Sequence, residues 1–194
     1  MISLNSIEKK FRNKMVLSNV SFEIDSPGIY VINGKNGSGK STLLKIISKV
    51  IYKSDGKINI DGTISYLPDK FIMPKLMRAS AYLKLALDDN QNIKELMNKY
   101  LIPNKKIREL SKGNLQKLGL LQILNKNADI YVLDEPLDGL DDTAKKIIKQ
   151  DIIDLVNSGK IIILSLHTKT TFGDLKSQVF ELKDGCINEK RKKS

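Results

Sequence analysis

Nine consecutive residues, Gly34, Lys35, Asn36, Gly37, Ser38, Gly39, Lys40, Ser41 and Thr42, follow the pattern Gly, four residues, Gly, Lys, Ser or Thr. Glycines at 34, 37 and 39 let a backbone wrap closely enough for its N–H groups to face phosphate oxygens at the positive end of a following helix. Lys40 adds a point charge for the β and γ phosphates, and Ser41 offers a hydroxyl to a Mg²⁺ bridging them. The spacing therefore predicts a P-loop that binds ATP with Mg²⁺.

A second chemistry sits about a hundred residues later. Ile130-Tyr131-Val132-Leu133-Asp134-Glu135 is an apolar strand pattern ending in two acids, a costly place for carboxylates unless a cation meets them. Asp134 is expected to hold Mg²⁺ through its shell. Glu135, one residue on, is placed to orient or deprotonate an attacking water. His167, the single histidine, follows a third apolar run, at the sheet edge where ligands bind in open α/β folds. A hydrogen bond from it to the γ-phosphate is expected, against the plainer reading of a structural histidine.

The elements that must position these residues alternate between strand and helix, which predicts an α/β fold. Val20, Phe22 and Ile24 mark one strand and residues 28–33 a largely buried second one. Leu43, Leu44, Ile46, Ile47 and Val50 then return at helical spacing, so the Gly-rich segment lies between strand and helix, the context a P-loop requires. Residues 57–62 and 63–68 read as short strands around a turn. From residue 69 to about 126 strand signals give way to amphipathic helices at 76–87, 93–101 and 115–124, separated by Pro74, Pro103 and the turn-like Ser111-Lys112-Gly113-Asn114. Strands resume at 129–134, 160–165 and 178–182, with a helix over 142–156 between the first two. One domain is expected: an αβ core over 1–68 and 127–188, a helical insert over 69–126 and a charged, frayed tail over 189–194.

Bulk properties agree. The chain has 194 residues and 41% hydrophobic content, enough for one buried core. No apolar run approaches the roughly 20 residues needed to span a bilayer. The N-terminus lacks the features of a secretory signal, and one cysteine, Cys186, suits a reducing compartment, so a cytoplasmic location is expected. The net charge of +11 calls for an acidic partner such as nucleotide phosphates or an anionic membrane surface, or else serves solubility. Aromatic content of 6%, with no arginines interleaved with aromatics, argues against nucleic acid.

The order of elements resembles the ATPase subunit of ATP-binding cassette (ABC) transporters. The P-loop, the insert with Leu110-Ser111-Lys112-Gly113-Asn114, then Leu133-Asp134-Glu135-Pro136, Asp138-Gly139-Leu140-Asp141 and Leu166-His167 cover nearly the whole chain. The resemblance implies a P-loop NTPase core with a mixed β-sheet flanked by helices, a helical subdomain insert and an N-terminal antiparallel β part. It implies that Ser111 and the Gly113 backbone clamp the γ-phosphate held by a second ABC ATPase subunit, identical or not, so that two subunits enclose two ATPs. Asp141 would lie on the loop joining the two sites, His167 would be the switch histidine, and Phe11 would stack on adenine. A separate transmembrane permease is the implied partner, with the chain peripheral on the cytosolic face.

Three departures stand out. Lys112 and Asn114 replace the family's Gly and Gln; such Ser-Lys-Gly signatures are similar to those of the exporter branch. Lys112 either adds charge toward phosphate or points into solvent. Asp69 occupies the place of the magnesium-linked Gln, where a carboxylate can bind Mg²⁺ or its water but cannot donate a hydrogen bond. The chain is also shorter than most relatives, mainly in the insert and the C-terminus. A soluble ABC ATPase acting on DNA ends, ribosomes or assembly machinery is the alternative, and a nucleotide kinase or other P-loop switch protein a more distant one.

Overall fold

A computed structural model describes residues 1–70, 72–88, 91–166 and 177–190. Two sheets carry the strands. The smaller is antiparallel, with β1 (Ile2–Phe11) between β2 (Lys14–Ile24) and β4 (Asp55–Ile60). The larger has the order β5 (Ile64–Leu67), β6 (Ile130–Leu133), β7 (Ile161–Leu166), β3 (Gly28–Asn33), β8 (Ser177–Lys183), β9 (Cys186–Lys190). All its pairings are parallel except β8 with β9. This is the mixed α/β architecture expected from the sequence.

The larger sheet is covered on both faces, which explains why β6 reads as an unbroken apolar run and β7 as one interrupted only by Ser165. Successive side chains point to opposite faces. Ile130, Val132, Ile161 and Ile163 join a core with the small sheet and α1 (Lys40–Ile47). Tyr131, Leu133, Ile162, Leu164 and Leu166 join a second core with the remaining helices. There α5 (Asp142–Asn157) contributes Ala144, Ile148 and Ile152, spaced four apart on one face.

β1 departs from simple alternation, so its pattern hides it. Ile2 and Leu4 are buried, yet the next buried residue is Ile7, because the register with β2 shifts between Leu4 and Ile7. Ser6 carries φ +50 there, and its N–H donates to Ser21 Oγ at 2.8 Å rather than to the ladder. The bulge switches which parity faces inward. The strands on either side of Asp61-Gly62 form, but in different sheets: β4 pairs with β1 and β5 with β6. The turn is a sheet-to-sheet crossing. Thr63 fixes it by donating to Asp129 Oδ2 through N–H and hydroxyl, both at 2.8 Å.

The segment between β5 and β6 is helical, with α2 (Ala79–Ala86), α3 (Ile93–Lys99), a 3-10 turn (Ile107–Glu109) and α4 (Lys112–Leu124). α2 begins later than the expected residue 76, because Met77 donates back to the Pro74 carbonyl and Arg78 is extended. α4 begins earlier than expected. Ser111 is its N-cap, with Oγ accepting from the Asn114 N–H at 3.2 Å, so the residues read as a turn form the first helical turn. α3 is tied to α5 across the core boundary, since Lys99 Nζ and Tyr100 Oη both donate to the Asp151 carboxylate. At the C-terminal end β9 continues through Lys190, so Glu189 and Lys190, expected in a frayed tail, lie in a strand. Among the described residues no helix is long and apolar enough to cross a membrane.

Candidate nucleotide site

The P-loop leaves β3 at Asn33 and enters α1 at Lys40. Its glycines are required by close approach as well as by conformation. A Cβ on Gly34 would stand 2.4 Å from the Leu182 carbonyl oxygen. Gly39 is the N-cap of α1 with φ +106, and a Cβ there would meet Leu17 Cδ2 at 2.8 Å. No side chain caps α1 and no acid lies in its first turn, so the first N–H groups of the helix face the loop's own hollow.

That hollow is a cavity of about 300 Å³ lined by Val16, Asn36, Gly37, Gly39, Lys40, Ser41, Thr42 and Glu135. Lys40 is 4% exposed, and its ammonium donates to the carbonyls of Gly34 at 2.9 Å and Lys35 at 3.3 Å. Two neutral carbonyls are modest partners for a buried ammonium, and phosphate oxygens would be stronger ones. Ser38 Oγ is buried without a hydrogen-bond partner. The loop thus holds an unspent cation and a free hydroxyl beside an open helix N-terminus, a constellation suited to phosphate.

Glu135 reaches the cavity from the far end of β6, with Asp134 the residue before it. Asp134 is fully buried. Its Oδ1 accepts from Ser165 Oγ at 2.7 Å, whereas Oδ2 has no hydrogen-bond partner. A buried carboxylate oxygen left in this state fits a cation or a cation-bound water. The residues present therefore fit Mg²⁺, with Asp134 and Ser41 as the donors.

Glu135 has φ +51, a left-handed backbone unusual for its type, with a typical cost of about 1–3 kcal/mol. Neighbours hold it there. Its N–H donates to Ser165 Oγ at 2.9 Å, and Gln116 Nε2, from α4, donates to the Pro136 carbonyl at 3.2 Å and to that of Glu135 at 3.5 Å. The bend turns the chain off the strand so that Glu135 lines the cavity while Asp134 stays inside.

Tyr66 approaches from the adjacent strand. It lies opposite Val132 in register, so Tyr66, Val132 and Asp134 share the α1 side of the sheet. The ring is half-buried, but its hydroxyl is buried with no hydrogen-bond partner. Burial first, then the carboxylates of Asp134 and Asp69, hold this hydroxyl protonated well beyond the ordinary tyrosine range. Asp69 itself is exposed, two residues past the end of β5.

The other expected site residues stand apart from the cavity. Phe11 is 47% exposed at the β1–β2 turn, under Lys9 Nζ at 4.8 Å from the ring centroid. Ser111 and Gly113 open α4, where a Cβ on Gly113 would stand 3.2 Å from the Gly139 carbonyl oxygen. Asp141 caps α5, its Oδ1 accepting from the Ala144 N–H at 2.8 Å. That N–H, with a further contribution from the charge of Lys117, holds the Asp141 carboxyl below its ordinary range. His167 lies outside the described residues. Ser165 and Gln116, which hold the turn at Glu135, and Val16, which lines the cavity from β2, are contributors that sequence reasoning missed; each meets the site from a distant part of the chain, so no local spacing marks it.

Residues 17–138 match a family model described as ABC transporter. An uncharacterised ABC transporter ATP-binding protein of Methanocaldococcus jannaschii is 34% identical over 95% of this chain and 74% of its own length. The cytochrome c biogenesis ATP-binding export protein of Reclinomonas americana is 34% identical, covering 86% and 85%. The zinc import ATP-binding protein of Rickettsia conorii is also 34% identical, covering 81% and 70%. Among solved structures, a dimeric ATP-binding cassette in a post-hydrolysis state bound to ADP and Pi superposes with a TM-score of 0.87 at 22% identity over the whole of both chains.

Proposed function

Because this chain belongs to the ABC transporter family as an ATP-binding, ATP-hydrolysing cassette, we propose that it pairs with a second cassette around two Mg²⁺-bound ATPs and drives a separate membrane permease. The observation that carries this reading is the one-sidedness of the site. The cavity is lined from the P-loop, Val16 and Glu135, and none of the described residues lining it comes from α4. Ser111 and Gly113, at the uncovered start of that helix, are thus available to a nucleotide held by another subunit.

In the proposed cycle the loop N–H groups and Lys40 bind the phosphates, Lys40 leaving the Gly34 and Lys35 carbonyls. Phe11 stacks on the adenine. Asp134 and Ser41 would hold Mg²⁺, whose charge would offset the negative charge that builds on the departing γ-phosphoryl group. Glu135 orients a water and takes its proton. His167 and the partner's signature complete the γ-phosphate contacts. Acceleration comes from positioning and charge neutralisation.

The helical insert, 69–126, is proposed as the docking unit on the cytosolic face of the membrane. Ile72, Leu76, Leu85 and Leu101 are strongly exposed there, and residues 69–117 carry eleven Lys or Arg against five acids. Not all of that charge is spare: Lys117 is buried against the Leu101 carbonyl and Lys99 is bound to Asp151. Export is the proposed direction. It rests on the Ser-Lys-Gly signature alone, since relatives named for export and for import are equally similar. The test is to express the chain with and without its candidate permease and wash the membranes in high salt, where exposed charges are screened within about 3 Å at 1 M. Salt-resistant, permease-dependent retention is expected. A chain that remains in the soluble fraction with the permease present would make a soluble ABC ATPase the better reading.

A further inference from the structure

Among the buried hydroxyls without a partner, that of Tyr66 lies on the face of the sheet that carries Asp134. Tyr66 Oη has no hydrogen-bond partner, and on the same face of the sheet Asp134 Oδ2 has none either. A buried polar atom without a partner is costly, and two such atoms on one face of neighbouring strands share an explanation if something bridges them when the site is loaded. The chain also has a specific deficit nearby. Asp69, three residues beyond Tyr66, can accept hydrogen bonds but cannot give one, where an amide could do both.

We propose that Tyr66 is a positioning residue for the nucleotide-bound cation, its hydroxyl donating to the water layer between Asp134 and Asp69 and so supplying the donor that a carboxylate at position 69 lacks. This rests on the reading of Asp134 as the Mg²⁺ residue. Side chains that orient ligands of a metal typically change its affinity by about 10–100-fold when removed. A tyrosine retained only for packing would be replaced by phenylalanine without effect on the metal.

The test uses the full chain carrying Glu135→Gln, so that bound ATP is not consumed, with Mn²⁺ as a paramagnetic stand-in for Mg²⁺. Affinity for Mn²⁺ in the presence of ATP is read by electron paramagnetic resonance, and affinity for ATP alone is read in chelator. Adding Tyr66→Phe should weaken Mn²⁺ binding about tenfold or more while leaving metal-free ATP binding unchanged. Adding Asp69→Gln to that variant should restore most of the loss, because the amide returns the missing donor. Equal Mn²⁺ affinity with and without Tyr66→Phe, or a loss that Asp69→Gln does not restore, overturns the proposal. A parent that binds no ATP overturns the underlying nucleotide-site reading instead, and this is seen before any metal is added. Should Tyr66→Phe fail to fold, the Glu135→Gln parent decides. It has six Tyr and no Trp, so Mg²⁺ added to its ATP complex should give a tyrosine difference absorption spectrum, and a flat difference spectrum overturns the proposal.

Discussion

Ser165 Oγ donates to Asp134 Oδ1 at 2.7 Å from the neighbouring strand. The same oxygen accepts the N–H of Glu135 at 2.9 Å, so one hydroxyl on β7 fixes both acids at the end of β6. Ser165→Ala removes both bonds inside the core. The buried carboxylate then loses its only hydrogen-bond donor seen among the described residues, which costs about 1–3 kcal/mol of stability. ATP hydrolysis should fall about 10–100-fold, since the strained turn at Glu135 loses a restraint. Denaturant unfolding and steady-state ATPase rates of the purified variant check the two effects separately.

Lys40→Ala should abolish hydrolysis and weaken ATP binding. The ammonium sits on two loop carbonyls, from which it can transfer to phosphate oxygens, and alanine leaves those oxygens without their charge. Fluorescent-nucleotide titration alongside a phosphate-release assay measures both, and near-normal turnover would contradict the assignment of this loop.

The insert is joined to the core by a specific contact. Tyr100 is 1% exposed, and its hydroxyl and the Lys99 ammonium both donate to Asp151 on α5. Asp151→Ala leaves a buried hydroxyl unpaired, at a cost of about 1–3 kcal/mol. Tyr100→Phe removes the hydroxyl along with its need for a partner and costs less. Hydrogen exchange over residues 93–99 should accelerate in Asp151→Ala more than in Tyr100→Phe.

Acid should destabilise the fold through two carboxylates. Asp129 is held below its ordinary range first by the Thr63 N–H and then by the Thr63 hydroxyl, and Asp141 by the Ala144 N–H. Groups whose folded pKa is depressed lend stability that is fully present above the unfolded value, about 3.9. It is lost as pH falls through the folded value, because the unfolded chain binds more protons there. Melting temperatures should therefore fall from about pH 5 to about pH 2. Asp129→Asn and Asp141→Asn should each flatten that dependence while lowering stability at neutral pH.

What the sequence made legible was local. The P-loop lies in nine adjacent residues whose glycines have positions fixed by phosphate approach, and Asp134-Glu135 ends an apolar run where acids are conspicuous. Features built by distant partners were not legible. Ser165 is thirty residues from Glu135 and reads as one polar residue in an apolar strand. β1 was obscured by the bulge at Ser6, which moves its third buried residue out of alternation. Ser111-Lys112-Gly113-Asn114 has the composition of a turn, and the bonds that Ser111 accepts, from the Asn114 N–H at Oγ and from the Leu115 N–H at its carbonyl, make it a helix start rather than a loop. That Tyr66 and Asp134 lie on one face of adjacent strands depends on β5 pairing with β6, an adjacency that the crossing at Gly62 sets and that no periodicity encodes.

The most direct test of the account is the oligomeric state of Glu135→Gln. An amide at 135 cannot accept the proton of water, so ATP should bind and stay. Size exclusion with light scattering is run with ATP and Mg²⁺ and again without them. The account predicts a dimer in the first condition and a monomer in the second, with the dimer abolished by adding Lys40→Ala. A monomer in both conditions, with ATP demonstrably bound, would contradict the reading of Ser111 and Gly113 as residues that act on a partner's nucleotide.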